Sequence, residues 1–129
     1  MVSQFNETYK ADSINELPAL PDPQALRLAV SVISEEFMEL HTAYEADDIV
    51  EYFDALCDLL YVVAQQANLW GFPISAGLRE VHRSNMSKLD AEGRPIIRED
   101  GKVLKGPNYS PPDLRKVLDD FIKTKTQEG

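Results

Sequence analysis

Acidic side chains recur at helical spacing in two neighbouring stretches of the sequence. The first stretch, SEEFMEL, contains the pattern E-E-x-x-E, and steps of three and four residues place its last glutamate beside the other two on a helix surface. The second stretch, EYFDALCD, carries acids at i, i+3 and i+7, on the strip that two apolar stripes leave free. Two acidic strips can therefore face each other. The six acids are Glu35, Glu36, Glu39, Glu51, Asp54 and Asp58.

Carboxylates gathered in this way need a cation, because burial and mutual repulsion both raise their pKa values. Magnesium suits them, since it is a hard ion that commonly bridges protein acids to substrate phosphates. The alternative is a solvated helix face, and Glu51 could simply complement a helix dipole. Asp54 and Asp58 favour the metal, because aspartate is a poor helix former and their helix is otherwise apolar. We expect a Mg²⁺ site in which Mn²⁺ can substitute.

A third stretch, EVHRSNMSK, offers groups that could bind an anion. His82, Asn85 and Lys88 are spaced by three residues and share a helix face, where they could bind phosphate or sugar oxygens. His82 and Arg83 could equally form a surface pair. The sequence contains no G-x-S-x-G, glycine-rich phosphate loop or G-x-G-x-x-G, and Cys57 is predicted to lie in the core. Water is therefore the predicted nucleophile.

Helices predicted from the apolar periodicity must position these groups. Asp22 is a plausible N-cap with Pro23 at the first helical position, and the helix that follows Asp48 should be the most buried element. Asp100-Gly101 predicts a type I′ turn and hence a short hairpin. The predicted fold is all-α, of four-helix-bundle type, with a short C-terminal β-hairpin. The predicted helices span 3–12, 23–45, 47–70, 74–89 and 112–124, and the hairpin spans 94–105.

The composition excludes several classes of partner. The chain has 129 residues, with 13 Lys and Arg against 22 Asp and Glu, and a net charge of −9. This leaves no broad basic surface for nucleic acid or an anionic membrane. One cysteine excludes an intrachain disulfide framework, and no stretch resembles a signal peptide or membrane helix. We expect a cytoplasmic protein that forms a homodimer or homotetramer, because one chain could hardly cover a helix that is apolar nearly all round.

We expect one domain over residues 1–129. It comprises an N-terminal arm (1–22), core helices (23–90), the hairpin (94–105) and a C-terminal helix (112–124).

Three motifs in this order resemble the MazG-like, all-α nucleoside triphosphate pyrophosphatases, which include dimeric dUTPases and phosphoribosyl-ATP pyrophosphatase. They are the E-E-x-x-E pattern, DALCDLLYVV, and EVHRSNMSK followed by DGKVLKGPNYSPPDL. The resemblance covers about residues 23–120 and is greatest to small bacterial and phage-encoded members, which would place a phage protein in the host cytoplasm. It implies hydrolysis between the α and β phosphates, with Mg²⁺ held by acids from two antiparallel helices, in a dimer or tetramer.

The resemblance also implies roles for individual residues. Glu35 matches the first glutamate of the family pattern, a metal ligand or water activator. The family pairs its aspartate with a glutamate three residues earlier, where this chain has Ala55. A literal E-x-x-D lies at Glu51 to Asp54, but the following DLLYVV favours Asp58 as the family's aspartate, so we expect Asp54 to complete the metal shell. Glu35 or Glu36 would orient the attacking water. The positions that match the family's metal-binding acids are Glu36, Glu39 and Asp58.

Substrate contacts are expected outside the acidic strips. Lys88 and Arg83 would balance charge on the pyrophosphate, Asn85 would bind sugar or phosphate, and the segment around Ile14 would close over the base. A (d)GTP-directed enzyme that controls nucleotide pools, a dUTP or dCTP pyrophosphatase, a hydrolase of the terminal phosphate and a non-enzymatic oligomerising module all remain open. The predicted substrate-binding residues are Ile14, His82, Arg83, Asn85 and Lys88.

Overall fold

The computed structural model describes residues 1–128, and its regular elements there are helices. Contacts divide the chain into two compact units, the first ending at Phe72 and the second starting at Pro73. The all-α class is therefore confirmed. Helix α1 spans Val2–Tyr9, α2 Pro23–Glu45, α3 Ile49–Leu69, α4 Ile74–Met86 and α5 Leu114–Glu128, and a short 3₁₀ turn covers Ala11–Ser13.

Both long helices of the first unit begin at an aspartate cap. The Asp22 carboxylate accepts a hydrogen bond from the backbone N–H of Ala25 at 3.0 Å, and Pro23 occupies the first turn, as predicted. The Asp48 carboxylate accepts two bonds from the first turn of α3, one of them from the N–H of Glu51 at 3.0 Å. Because only residues 46–48 separate the two helices, α2 and α3 form an antiparallel hairpin.

Small side chains and one amide hold the antiparallel pair together. Ala43 and Ala55 are buried near the connection between the helices, where their size lets the backbones approach closely. Towards the other end of the pair, the Gln66 side-chain amide donates to the carbonyl of Ala29 at 2.6 Å. The helices are thus joined on both sides of the acids that lie midway along them.

The N-terminal arm is bound to the last turns of α3. Asn6 is fully buried, and its amide donates to the carbonyl of Gln65 at 3.0 Å and to the side-chain oxygen of Asn68 at 2.8 Å. Further along the arm, the backbone N–H of Asn15 donates to the carbonyl of Leu69 at 2.8 Å. These bonds fix the arm against α3 before the chain enters α2.

Long apolar side chains of α2 and α3 remain exposed in the single chain. Within α3 only Ala55 and Leu69 are buried, whereas Phe53 is 67% exposed, so the expectation of a largely buried helix is not met by one copy. A continuous apolar face of this kind usually contacts another protein surface. Among the described residues, no helix combines the length and apolarity needed to cross a bilayer.

The second unit joins α4 to α5 through a polar network. The Glu80 carboxylate accepts hydrogen bonds from the Arg83 guanidinium at 2.7 Å and from the backbone N–H of Asp113 at 3.0 Å. These bonds, that of Arg83 first, lower the pKa of Glu80 to about 2. Arg83 also donates to the carbonyl of Pro111 at 3.2 Å. The start of α5 is therefore tied to the middle of α4.

The prediction of a β-hairpin at 94–105 is wrong. The described residues contain no strand there, only an isolated antiparallel bridge between Ile97 and Val103. A type I′ turn requires positive φ at both Asp100 and Gly101, and of the two only Gly101 has it, at 90°. Without the matching turn, and without a third strand to extend the pairing, the two segments stop at a single bridge.

Gly71, next to the end of the first unit, makes a close backbone approach to the arm. It has a φ of 74°, and a Cβ atom at this position would lie 2.8 Å from the carbonyl oxygen of Leu17 in the arm. A glycine directly after a helix is a common C-terminal stop, but the contact with the arm depends on the tertiary fold.

We predict that Gly71→Ala lowers the free energy of unfolding by about 1–3 kcal/mol, because it places a side chain in a left-handed conformation against the arm. The matched control is Gly77→Ala in α4, where nothing lies within 4 Å of the new atom. The control should raise stability by about 0.5–1 kcal/mol through helix propensity. Equilibrium denaturation of both variants measures the difference, and equal effects would contradict the prediction.

Candidate metal centre

Three of the six predicted acids converge between α2 and α3. Glu36 and Glu39 lie one helical turn apart on α2, and the antiparallel arrangement brings Asp58 of α3 opposite them. One carboxylate oxygen from each residue lies within 4.8 Å of the other two. The helical spacing seen in the sequence and the pairing of two helices thus produce a compact group of oxygen atoms.

The electrostatics of this group centre on Glu36. Its side chain is half-buried, and its Oε2 atom is shielded from solvent without a hydrogen-bond partner among the described residues. Burial raises the pKa of Glu36, and the negative charges of Glu39, Asp58 and Asp54 raise it further. A cation would relieve both effects, because it would pair with the isolated oxygen and offset the repulsion.

The chemistry of the donor atoms fits a hard divalent ion. All three groups are carboxylates, which suit Mg²⁺ and Mn²⁺ better than softer metals. Mg²⁺ typically takes only one or two protein carboxylates and completes its shell with water and phosphate oxygens. The residues present here therefore match the predicted cofactor.

The other three acids lie beside this group or outside it. Glu51 and Asp54 line a groove of about 320 Å³ together with Glu39, so they extend the acidic surface towards the start of α3. Asp48 also lines the groove, a position that the sequence analysis missed. Its place directly before a helix signals a cap, and its carboxylate is indeed occupied by backbone N–H groups. Glu35 is exposed and contributes no oxygen to the convergent group.

The predicted anion-binding residues belong to the second unit. Asn85 and Lys88 line the same mostly apolar groove of about 430 Å³, so the structure brings these two together. His82 is exposed on the same helix but does not line the groove. The Arg83 guanidinium is already bound to Glu80, a partner that the sequence analysis missed although the i, i+3 spacing on one helix could have revealed it.

Ile14, the predicted base contact, lies in the first unit. It is half-buried directly after the 3₁₀ turn, and the neighbouring Asn15 is bound to the last turn of α3. The segment therefore runs along the end of α3, whereas the convergent acids lie near its middle. Contact between Ile14 and a base remains a prediction.

Residues 2–85 match the family of phosphoribosyl-ATP pyrophosphohydrolases. The matched region covers well over half of the chain and includes α1, α2, α3 and every predicted metal-binding acid. The chain therefore belongs to this family. The match confirms the resemblance to all-α nucleoside triphosphate pyrophosphatases seen in the sequence motifs.

Two individual proteins extend the comparison. The chain is 26% identical over 127 residues to the uncharacterized protein L479 of Acanthamoeba polyphaga mimivirus, covering 95% of this chain but 48% of that protein. It thus spans about half the length of this curated relative. A crystal structure of a proposed NTP pyrophosphohydrolase from Exiguobacterium sp. 255-15 aligns with a TM-score of 0.51 and 24% identity, covering 85% of this chain and 69% of that one. This likeness supports the fold.

We predict that Glu36→Gln leaves the metal-free protein at least as stable at neutral pH as the original. The folded state raises the pKa of Glu36 above its ordinary value of 4.5, so the folded state holds the proton more tightly than the unfolded state does. The charge of Glu36 therefore lowers stability as the pH rises through this range, and glutamine removes that effect. Thermal unfolding at several pH values measures it.

Mg²⁺ should raise the unfolding midpoint of the original protein but not that of Glu36→Gln, because glutamine removes the negative charge and replaces one carboxylate oxygen by an NH₂ group that cannot bind the ion. Glu45→Gln is the matched control, since Glu45 lies on the same helix and pairs with the exposed His41. An equal Mg²⁺ response in all three proteins would contradict the assignment of the metal centre.

Proposed function

We propose that this chain is a Mg²⁺-dependent nucleoside triphosphate pyrophosphohydrolase, which converts a triphosphate and water to a monophosphate and pyrophosphate. The convergence of Glu36, Glu39 and Asp58 within 4.8 Å, with one buried oxygen left unpaired, is the observation that carries this proposal. Membership of a pyrophosphohydrolase family supports the reaction class. Guanine, uracil and cytosine nucleotides are the candidate substrates, and control of nucleotide pools is the proposed purpose.

The acids would have two roles in the reaction, ion binding and activation of the attacking water. Glu36, Glu39 and Asp58 would hold the ion, with Asp54 as the neighbouring acid proposed to complete the shell. A bound divalent ion supplies neutralisation of the phosphate charge and a water of lowered pKa. Glu35 or Glu36 would orient the water and accept its proton. The water oxygen then bonds to the α-phosphorus while the bond from that phosphorus to the bridging oxygen breaks, which releases pyrophosphate.

The predicted anion-binding residues are proposed to contact the substrate. Lys88 would balance charge on the leaving pyrophosphate, and Asn85, which lines the same groove, would bind sugar or phosphate oxygens. His82 shares the predicted face and would assist them. Arg83 can serve in the same way only if it exchanges Glu80 for the substrate.

Product analysis tests the reaction class. We expect monophosphate and pyrophosphate when the protein is incubated with common triphosphates and Mg²⁺ or Mn²⁺. Asp58→Asn should lower kcat on the order of 100-fold, since it removes electrostatic stabilisation at the reacting phosphate, while thermal unfolding shows that the fold persists. Glu45→Gln, outside the acidic group, should retain full activity. Release of orthophosphate and diphosphate would instead identify a hydrolase of the terminal phosphate.

Glu35→Gln separates the two candidate proton acceptors within the same assay. If Glu35 accepts the proton, kcat falls while the Mg²⁺-induced rise in the unfolding midpoint remains, because Glu35 lies outside the convergent group. If kcat is unchanged, the role falls to Glu36.

We also propose a homodimer or homotetramer that covers the exposed face of α2 and α3. Leu60, 73% exposed in the middle of α3, should lie in the contact. Leu60→Lys is expected to reduce the mass measured by light scattering, because it places a charge in an apolar interface. Leu20→Lys, at an arm residue that is 70% exposed, is the control and should leave the mass unchanged. A monomeric original protein would contradict the proposal.

A further inference from the structure

A second cavity lies in the first unit, between the arm, the first half of α2 and the last turns of α3. Its volume is about 330 Å³. Leu28 and Val32 of α2 and Trp70 at the end of α3 provide apolar walls. A mostly apolar cavity with an indole in its wall suits a flat aromatic ring, which can bury both faces and stack.

The polar groups of this cavity come from the arm and from α3. They are the Lys10 ammonium, the Ser13 hydroxyl and the Gln65 side-chain amide. Asn6 donates to the backbone carbonyl of Gln65 and so ties α1, and with it Lys10, to this part of α3. The amide of Gln65 forms no hydrogen bond among the described residues, whereas that of Gln66 is bound to α2. Three side chains are thus available to a ligand.

The cavity lies beside the convergent acids, on the same faces of α2 and α3. Val32 precedes Glu36 by four residues on α2, and Gln65 follows Asp58 by seven residues on α3. These steps keep the residues on one face and correspond to roughly 6 Å and 10 Å along the helix axes. A ribose and an α-phosphate could occupy the space between a base in the cavity and an ion at the acids.

We propose that this cavity binds the nucleobase of the triphosphate and selects bases that carry a carbonyl oxygen at purine position 6 or pyrimidine position 4, namely guanine, uracil and thymine. The Lys10 ammonium can only donate hydrogen bonds, so beside that position it favours the carbonyl oxygen over the amino group that adenine and cytosine carry there. Gln65 and Ser13 can both donate and accept, and they complete the polar contacts. The inference rests on the proposed function and names its substrate class.

Trp70 allows a direct test that does not depend on catalysis, because it is the single tryptophan of the chain. Guanosine, uridine, adenosine and cytidine are each titrated into the full-length protein while the tryptophan emission is followed. We expect guanosine and uridine to change the emission saturably, with affinities about tenfold or more above those of adenosine and cytidine, as a hydrogen bond to a charged donor provides.

Lys10→Met should remove this preference, because it keeps an unbranched side chain but loses the ammonium. Lys123→Met removes the same charge from exposed α5 and should retain the preference. No saturable response to any nucleoside, equal responses to all four, or a preference that survives Lys10→Met would overturn the inference. An unresponsive Trp70 together with an altered oligomeric mass in Lys10→Met would assign the cavity to a contact between copies of the chain.

Steady-state kinetics separate this inference from the proposed function. When GTP and ATP are compared as substrates, Lys10→Met should raise KM for GTP about tenfold and leave kcat unchanged, because Lys10 is proposed to contact the base and not the reacting phosphate. If no triphosphate is hydrolysed, the proposed function fails, and the nucleoside titration still decides what the cavity binds. If triphosphates are hydrolysed without any preference of base, the base pocket alone is wrong.

Discussion

Repulsion between carboxylates on paired helices is the constraint around which the first unit is built. Glu36, Glu39 and Asp58 converge within 4.8 Å, and Glu36 has an oxygen that is shielded from solvent and unpaired. This arrangement disfavours the metal-free folded state, so other contacts must hold α2 against α3. The buried Ala43 and the amide bond from Gln66 lie on either side of the acids and provide that support. These contacts keep the hairpin closed, and a cation bound as proposed would relieve the repulsion.

The N-terminal arm adds a cavity to the hairpin formed by α2 and α3. An antiparallel pair alone would leave the far end of α3 open, but Asn6 and Asn15 bind its last turns, and Gly71 lets the chain turn away against the arm. The arm thereby closes one side of a cavity that follows the acids along the hairpin. Ion binding and base binding would then share one rigid support, in which the distance between the two sites depends on helix length instead of on loops.

Local sequence signals predicted the helices well where the deciding interaction is also local. Asp22 and Pro23 mark the start of α2 because a cap and a fixed φ act within one turn. The same approach was wrong at Asp100-Gly101, where the dipeptide allowed a hairpin turn but the backbone around Asp100 did not adopt it. Periodicity also cannot tell a core from an interface. The helix that follows Asp48 was expected to be the most buried element, although one chain could hardly cover it, and in the single chain Leu60 is 73% exposed.

The sequence by itself determined the two acidic strips, because the spacing of residues along a helix dictates which side chains share a face. It also determined the family, through motifs that span most of the matched region. The resemblance to the family pointed to Asp58, but spacing alone did not separate it from Asp54 or Glu51. The tertiary structure brings Asp58 to Glu36 and Glu39, because the rotation and offset of two helices depend on contacts distant in sequence. The same reason explains why the arm, α2 and α3 line a cavity that no local pattern predicted.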